Sequence, residues 1–143
     1  MLMNMFLGLP TMVICLMLQV VWLILMIRYY AAYRDQLTGS TVWSSLKLVS
    51  LVMLALVLGN LAQIAIWAVL FQMLGEFTQF DAAFYHSAVN FGSLGYGDVV
   101  MSDRHKLLGA LEAINGVLMI GVSTAALMTP FKQALQRSME SKA

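Results

Sequence analysis

Two stretches of this chain, residues 1–27 and 48–75, contain no Asp, Glu, Lys or Arg at all. At 1.5 Å per residue, an α-helix over either run reaches about 40 Å, more than the roughly 30 Å of a bilayer's hydrocarbon core. A soluble domain seldom tolerates two such runs in 143 residues, of which 61% are hydrophobic and only 10% charged. The solvent these residues call for is lipid. Because backbone groups in lipid must be paired within their own segment, the fold class predicted is an all-α membrane protein.

The remaining composition excludes several functions. Eight Lys plus Arg stand against seven Asp plus Glu, so no basic surface is available for nucleic acid. Cys15 is the sole cysteine, which excludes an internal disulfide and a multi-cysteine metal site. The first apolar run lacks a basic leader and, over residues 6–27, is too long for the core of a signal peptide, so it is read as a retained helix.

Three spans are expected, at residues 6–27, 48–74 and 107–128. Arg28, Tyr29, Tyr30 and Arg34 mark an interface after the first, and a polar turn is expected at 38–40. Trp43 and Lys47 suggest an interfacial turn before the second span. Within that span Ser50, Asn60 and Gln63 read as hydrogen-bonding contacts to neighbouring helices. The step Thr129-Pro130 is expected to end or kink the third. Six basic residues (Arg28, Arg34, Lys47, Lys132, Arg137, Lys142) fall on one side of this topology and two (Arg104, Lys106) on the other. The richer side is expected to be cytoplasmic, which puts the C-terminus inside and the N-terminus outside in a plasma (inner) membrane.

The segment between the second and third spans, residues 76–106, is too polar to cross and too apolar for an ordinary loop. Thr78-Gln79-Phe80-Asp81 has the form of a helix start, with Thr78 as cap and Asp81 in the first turn. A helix from there to Asn90 covers only about 20 Å, so it must enter the membrane and return. Its C-terminal end carries partial negative charge, which favours a cation. Immediately beyond stands Ser93-Leu94-Gly95-Tyr96-Gly97-Asp98, whose glycines at 95 and 97 accept positive φ and bring no side chain toward an axis.

That hexapeptide resembles the signature of the potassium-channel family, usually Thr-Val-Gly-Tyr-Gly-Asp. The likeness extends to a pore helix at residues 83–90 and an inner helix at 107–127, and covers roughly residues 48–130. It implies that carbonyls of Ser93, Leu94, Gly95 and Tyr96, with the Ser93 hydroxyl, bind dehydrated K+ in a selectivity filter completed by Gly97. Tyr96 would pack behind the filter, and Asp98 would sit at its outer mouth. One chain supplies one strand, so three further copies of the chain are implied, a homotetramer with a fourfold pore in membrane lipid. The chain then divides into an added N-terminal helix (1–35), a pore domain (36–131) and a short cytoplasmic tail (132–143). Nothing in the first helix resembles the spaced arginines of a voltage sensor.

The sequence departs from the signature at several positions. Ser93 keeps a hydroxyl but loses a methyl, Leu94 replaces a β-branched residue, and Asn90 and Gly92 stand where threonines are common. Tyr85, His86 and Asn90 are expected to support the filter, His86 through a hydrogen bond to Tyr96 that would make conduction pH-sensitive, or else as a neutral packing residue. Glu112 is an acid inside the third span, expected to bond the back of the pore helix or a neighbouring backbone. Gly116 and Gly121 are candidates for a gating hinge or for close helix packing, and Ser123, Thr124 and Thr129 for the inner cavity or for bonds to their own helix.

The function expected is passive, selective potassium conduction with K+ as permeant ion, no cofactor and no catalysis. Glu112, His86 and His105 form no recognisable catalytic arrangement. Alternatives are a nonselective cation channel and a non-conducting accessory membrane subunit.

Overall fold

A computed structural model describes residues 1–34 and 42–140. The expected turn at 38–40, and Lys142, lie outside the described residues. Four helices follow one another: α1 (Leu2–Arg34), α2 (Val42–Met73), α3 (Phe80–Phe91) and α4 (Lys106–Glu140). No strand occurs among the described residues. Three helices, over Leu2–Tyr33, Leu46–Met73 and Lys106–Gln136, are long and apolar enough to cross a membrane. All three helices are longer than the expected spans. Their ends therefore project beyond a hydrocarbon core or tilt within it.

The packing is parallel for α1 and α4 and antiparallel for α2. Asn4 donates to the carbonyl of Arg104 at one end (2.8 Å), and a Cβ on Gly8 would collide with Leu111 of α4. Further along, Gln19 of α1 bonds Ser123 of α4, while Trp22 of α1 bonds Ala55 of α2. The apolar core joins Cys15, Ile64, Trp67, Phe71, Phe91, Leu108 and Met119, drawn from all four helices. Outward-facing Val13, Met17, Val20, Ile24, Leu54, Val57, Leu58, Val117 and Leu118 are exposed. In water such surface would drive aggregation, whereas in lipid it costs nothing.

Both α2 and α3 end in the same way. At the end of α2, Gly75 takes φ 76°, its N–H bonds Gln72 and the next N–H, of Glu76, bonds Phe71. This double bond pattern around a left-handed residue terminates a helix by capping its last carbonyls. At the end of α3, Ser93 takes φ 55°, with its N–H on Asn90 (2.8 Å) and that of Leu94 on Val89 (2.9 Å). The start of α3 differs from expectation: Gln79, not Thr78, occupies the cap position, and no side chain bonds there. Asp81 does lie in the first turn. Of the two outcomes expected at Thr129-Pro130, an end or a kink, the end is corrected, since α4 continues through Pro130 to Glu140. Proline at this position removes one intrahelical hydrogen bond and crowds the carbonyl of the residue four before it, which disfavours a helix without forbidding one.

Candidate functional site

The short helix α3 is placed by its buried face: Ala83, His86, Ser87, Val89 and Phe91 point into α2 and α4. Twelve residues cover about 18 Å, so α3 is too short to cross. The chain then turns sharply at Ser93. A serine at this left-handed position costs of order 1 kcal/mol relative to glycine, and the double cap described above holds it there.

Beyond the turn, positive φ recurs at every second residue: Ser93 (55°), Gly95 (60°) and Gly97 (73°). In an ordinary extended strand successive carbonyls face opposite sides. Reversing the sign of φ at alternate residues brings them toward one side. A Cβ at Gly95 or Gly97 would meet no atom within 4 Å, so glycine is required here by dihedral angle and not by crowding. Leu94 is 57% and Tyr96 67% exposed. The packing expected behind Tyr96 is therefore not supplied by its own chain.

The far end of the segment is tied down again. Tyr85 of α3 donates its hydroxyl to Asp98 Oδ2 (2.7 Å), and the N–H of Val99 donates to Asp98 Oδ1 (3.0 Å). The hydrogen bond from Tyr85 holds the Asp98 carboxyl below its usual range and raises the Tyr85 phenol above its own. His86 Nδ1 lies 2.7 Å from the carbonyl of Val99. A carbonyl only accepts, so Nδ1 carries the proton, and Nε2 is left to accept from Asn90 Nδ2 at 2.8 Å. The expected bond from His86 to Tyr96 is thus corrected: both ring nitrogens are engaged elsewhere, and the ring packs against Phe71 and Phe77.

Asn90 continues this row inward, donating to Glu112 Oε2 of α4 at 3.3 Å. Glu112 is fully buried. Val99, His86, Asn90 and Glu112 thereby form a line from the chain beyond residues 93–98, through α3, to α4. Gly116 meets the end of α3 directly, since a Cβ there would collide with the backbone carbonyl of Phe91. The absence of a side chain is what lets α4 lie this close to α3. Gly121 is different, with nothing within 4 Å of a Cβ position.

A second anchor went unread in the sequence. Glu76, just past α2, accepts from the N–H and hydroxyl of Ser102 (both 2.7 Å) and from His105 Nδ1 (2.5 Å). Burial alone would raise the Glu76 carboxyl. The bonds from Ser102 and His105 outweigh it and hold the group below its ordinary value. These residues stand 26 and 29 positions apart in sequence, with no local pattern to join them. Thr124 bonds the carbonyl of Ile120 in its own helix (2.8 Å), while Ser123 bonds across to α1. Ser50 is exposed.

A family model described as "Ion channel" matches residues 54–133, more than half of the chain. No curated protein and no solved structure matches. The matched region takes in most of α2, all of α3, the segment 93–98 and α4 to just past Pro130, and leaves α1 outside. The chain is a membrane protein and belongs to the ion channel family, as a small pore-loop member with an additional N-terminal helix.

Proposed function

We propose that four copies of this chain assemble around residues 93–97 and conduct K+ selectively down its electrochemical gradient. The observation that carries this reading is the alternation of positive φ at 93, 95 and 97 in an exposed segment tied at both ends and untouched in the middle. One copy aims a row of carbonyls at nothing. Four copies about one axis would replace the hydration shell of a dehydrated cation, with the Ser93 hydroxyl as the innermost oxygen. Leu94 and Tyr96, exposed in one copy, would gain neighbours from the next. Asp98 would draw cations to the outer mouth, where the hydrogen bond from Tyr85 holds its carboxyl below the usual range and so keeps it charged.

In the sequence, Arg28, Arg34, Lys47, Lys132, Arg137 and Lys142 stand on one side of this three-helix topology and Arg104 and Lys106 on the other. This supports a cytoplasmic C-terminus and an external N-terminus. The filter segment then faces outside.

The test is flux from liposomes holding the purified protein, K+ against Na+, with and without barium, alongside chemical cross-linking to count subunits. Expected are barium-blocked K+ flux well above that of Na+ and a cross-linked ladder ending at four. Sodium passing as readily as potassium would sink the selective reading, and protein that never associates would sink the pore.

A further inference from the structure

We propose that α1 is a brace for the inner helix α4, with Gln19 the positioning residue that holds α4, beyond Gly121, through Ser123. The inference rests on the channel reading above and concerns the helix that the family match leaves out.

Gln19 uses both ends of its amide. Its Nε2 donates to Ser123 Oγ of α4 at 2.9 Å, and its Oε1 accepts from Gln63 Nε2 of α2 at 2.6 Å. The Ser123 hydroxyl donates onward to Asn60 Oδ1 of α2 at 3.4 Å. Gln19, Gln63 and Ser123 are 3%, 0% and 6% exposed, and every member is neutral. One side chain of α1 thus joins both helices of the conducting unit at the depth of the membrane. The frame that carries it is firm. One turn further along α1, Trp22 Nε1 donates to the carbonyl of Ala55 (2.8 Å), and its indole lies over Gly59, where a Cβ would come within 2.8 Å of the ring.

The inner helix is soft where Gln19 takes hold. Gly121 has no neighbour within 4 Å of a Cβ position, and glycine weakens a helix. Thr124 turns its hydroxyl back onto Ile120 (2.8 Å), a bond that favours bending. Ser123 lies between them. Swinging the later part of α4 at Gly121 carries Ser123 away from Gln19 and leaves an amide N–H without a partner in a medium that offers no water. The hydrogen bond therefore weights the equilibrium between α4 conformations, and with it the gate, by about three- to tenfold, the range expected of one interhelical bond in a membrane.

The test is single-channel recording in planar bilayers of wild type, Ser123→Ala, Gln19→Leu, their double variant and Ser123→Thr. Expected is a change of about three- to tenfold in the ratio of open to closed time in each of the first two variants. The double variant should show no more than the larger single effect, because both remove one interaction. Ser123→Thr keeps the hydroxyl and should gate as wild type. Unitary conductance and the preference for K+ should stay unchanged, since the filter segment lies elsewhere, and a merely misfolded protein would not preserve them. If Gln19→Leu fails to insert, the contrast of Ser123→Ala with Ser123→Thr decides alone. A ratio within twofold of wild type in the single variants, or effects that add in the double, overturns the brace and leaves the channel standing. A folded wild type that passes no cation takes down both.

Discussion

The two halves of α4 are held in different ways. Before Gly116 the helix is fixed by a carboxylate anchor, by a buried hydrogen bond and by backbone contact: His105 on Glu76, Glu112 on Asn90, and Gly116 against the carbonyl of Phe91. Past Gly121 the polar tie to another helix is neutral, Ser123 to Gln19. Hydrogen bonds to ionised groups are roughly twice as strong as neutral ones, and a backbone contact cannot be relieved by a rotamer change. The first half therefore belongs to the scaffold that holds residues 93–98. The second half is tied to its neighbours by neutral hydrogen bonds, with Gly121, open on all sides, at the boundary.

Substitutions can break this contrast. The largest effect is expected at Gly116→Ala, where the new methyl meets backbone and α3 or α4 must shift, a cost of about 1–3 kcal/mol or more. Thermal unfolding of the detergent-solubilised assembly measures it, and a variant as stable as wild type would remove the claim of close packing. Next comes Glu112→Leu, which strips Asn90 of a buried acceptor and should cost about 1–3 kcal/mol. Because Asn90 also donates to His86, the loss should reach the filter segment and lower the preference for K+ in a flux assay, which substitutions past Gly121 should not do.

The anchor at Glu76 makes a prediction about pH. Its carboxyl is held below the ordinary value in the folded protein, so the stabilisation is complete above the unfolded value near 4.3 and is lost as pH falls through the lower, folded value. Acid should thus loosen the start of α4. Glu76→Gln should flatten the dependence of thermal stability on pH in the acid range, and a variant whose acid limb matches wild type would count against the anchor. The smallest effect on stability is expected at Gly121→Ala. Open space surrounds that position, so alanine should leave stability unchanged or raise it by up to about 1 kcal/mol through helix propensity. The same substitution should stiffen the boundary and change the open fraction, and a large loss of stability would show that Gly121 is packed after all.

Much of the fold was legible because lipid imposes few solutions. Charge-free runs of adequate length announce helices, and a helix too short to cross followed by Ser93-Leu94-Gly95-Tyr96-Gly97-Asp98 announces a return loop. The expected second span stopped at residue 74, one past the end of α2 at Met73, and Gly75 supplies there the left-handed cap that glycine favours. The cap at Ser93 was not legible, because it is built on a residue that ordinarily avoids that conformation. The extent of the helices was missed as well: α1 runs as far as Arg34 and α4 as far as Glu140 among the described residues, because apolar content marks where a helix crosses a membrane and not how far its hydrogen bonds continue.

By itself, the sequence determined the number of crossing helices, the re-entrant element and the dihedral freedom of Gly95 and Gly97, because these depend on local composition and on the geometry a single residue allows. Tertiary structure alone decided which partners the polar groups take. His86 turned to Val99 and not Tyr96, Glu76 met Ser102 and His105, Gln19 joined α4 to α2, and Gly116 became a contact while Gly121 stayed open. A hydrogen bond between residues a hundred positions apart leaves no trace in the spacing of either, since it is set by how the helices lie against one another once the lipid-facing surface has been chosen.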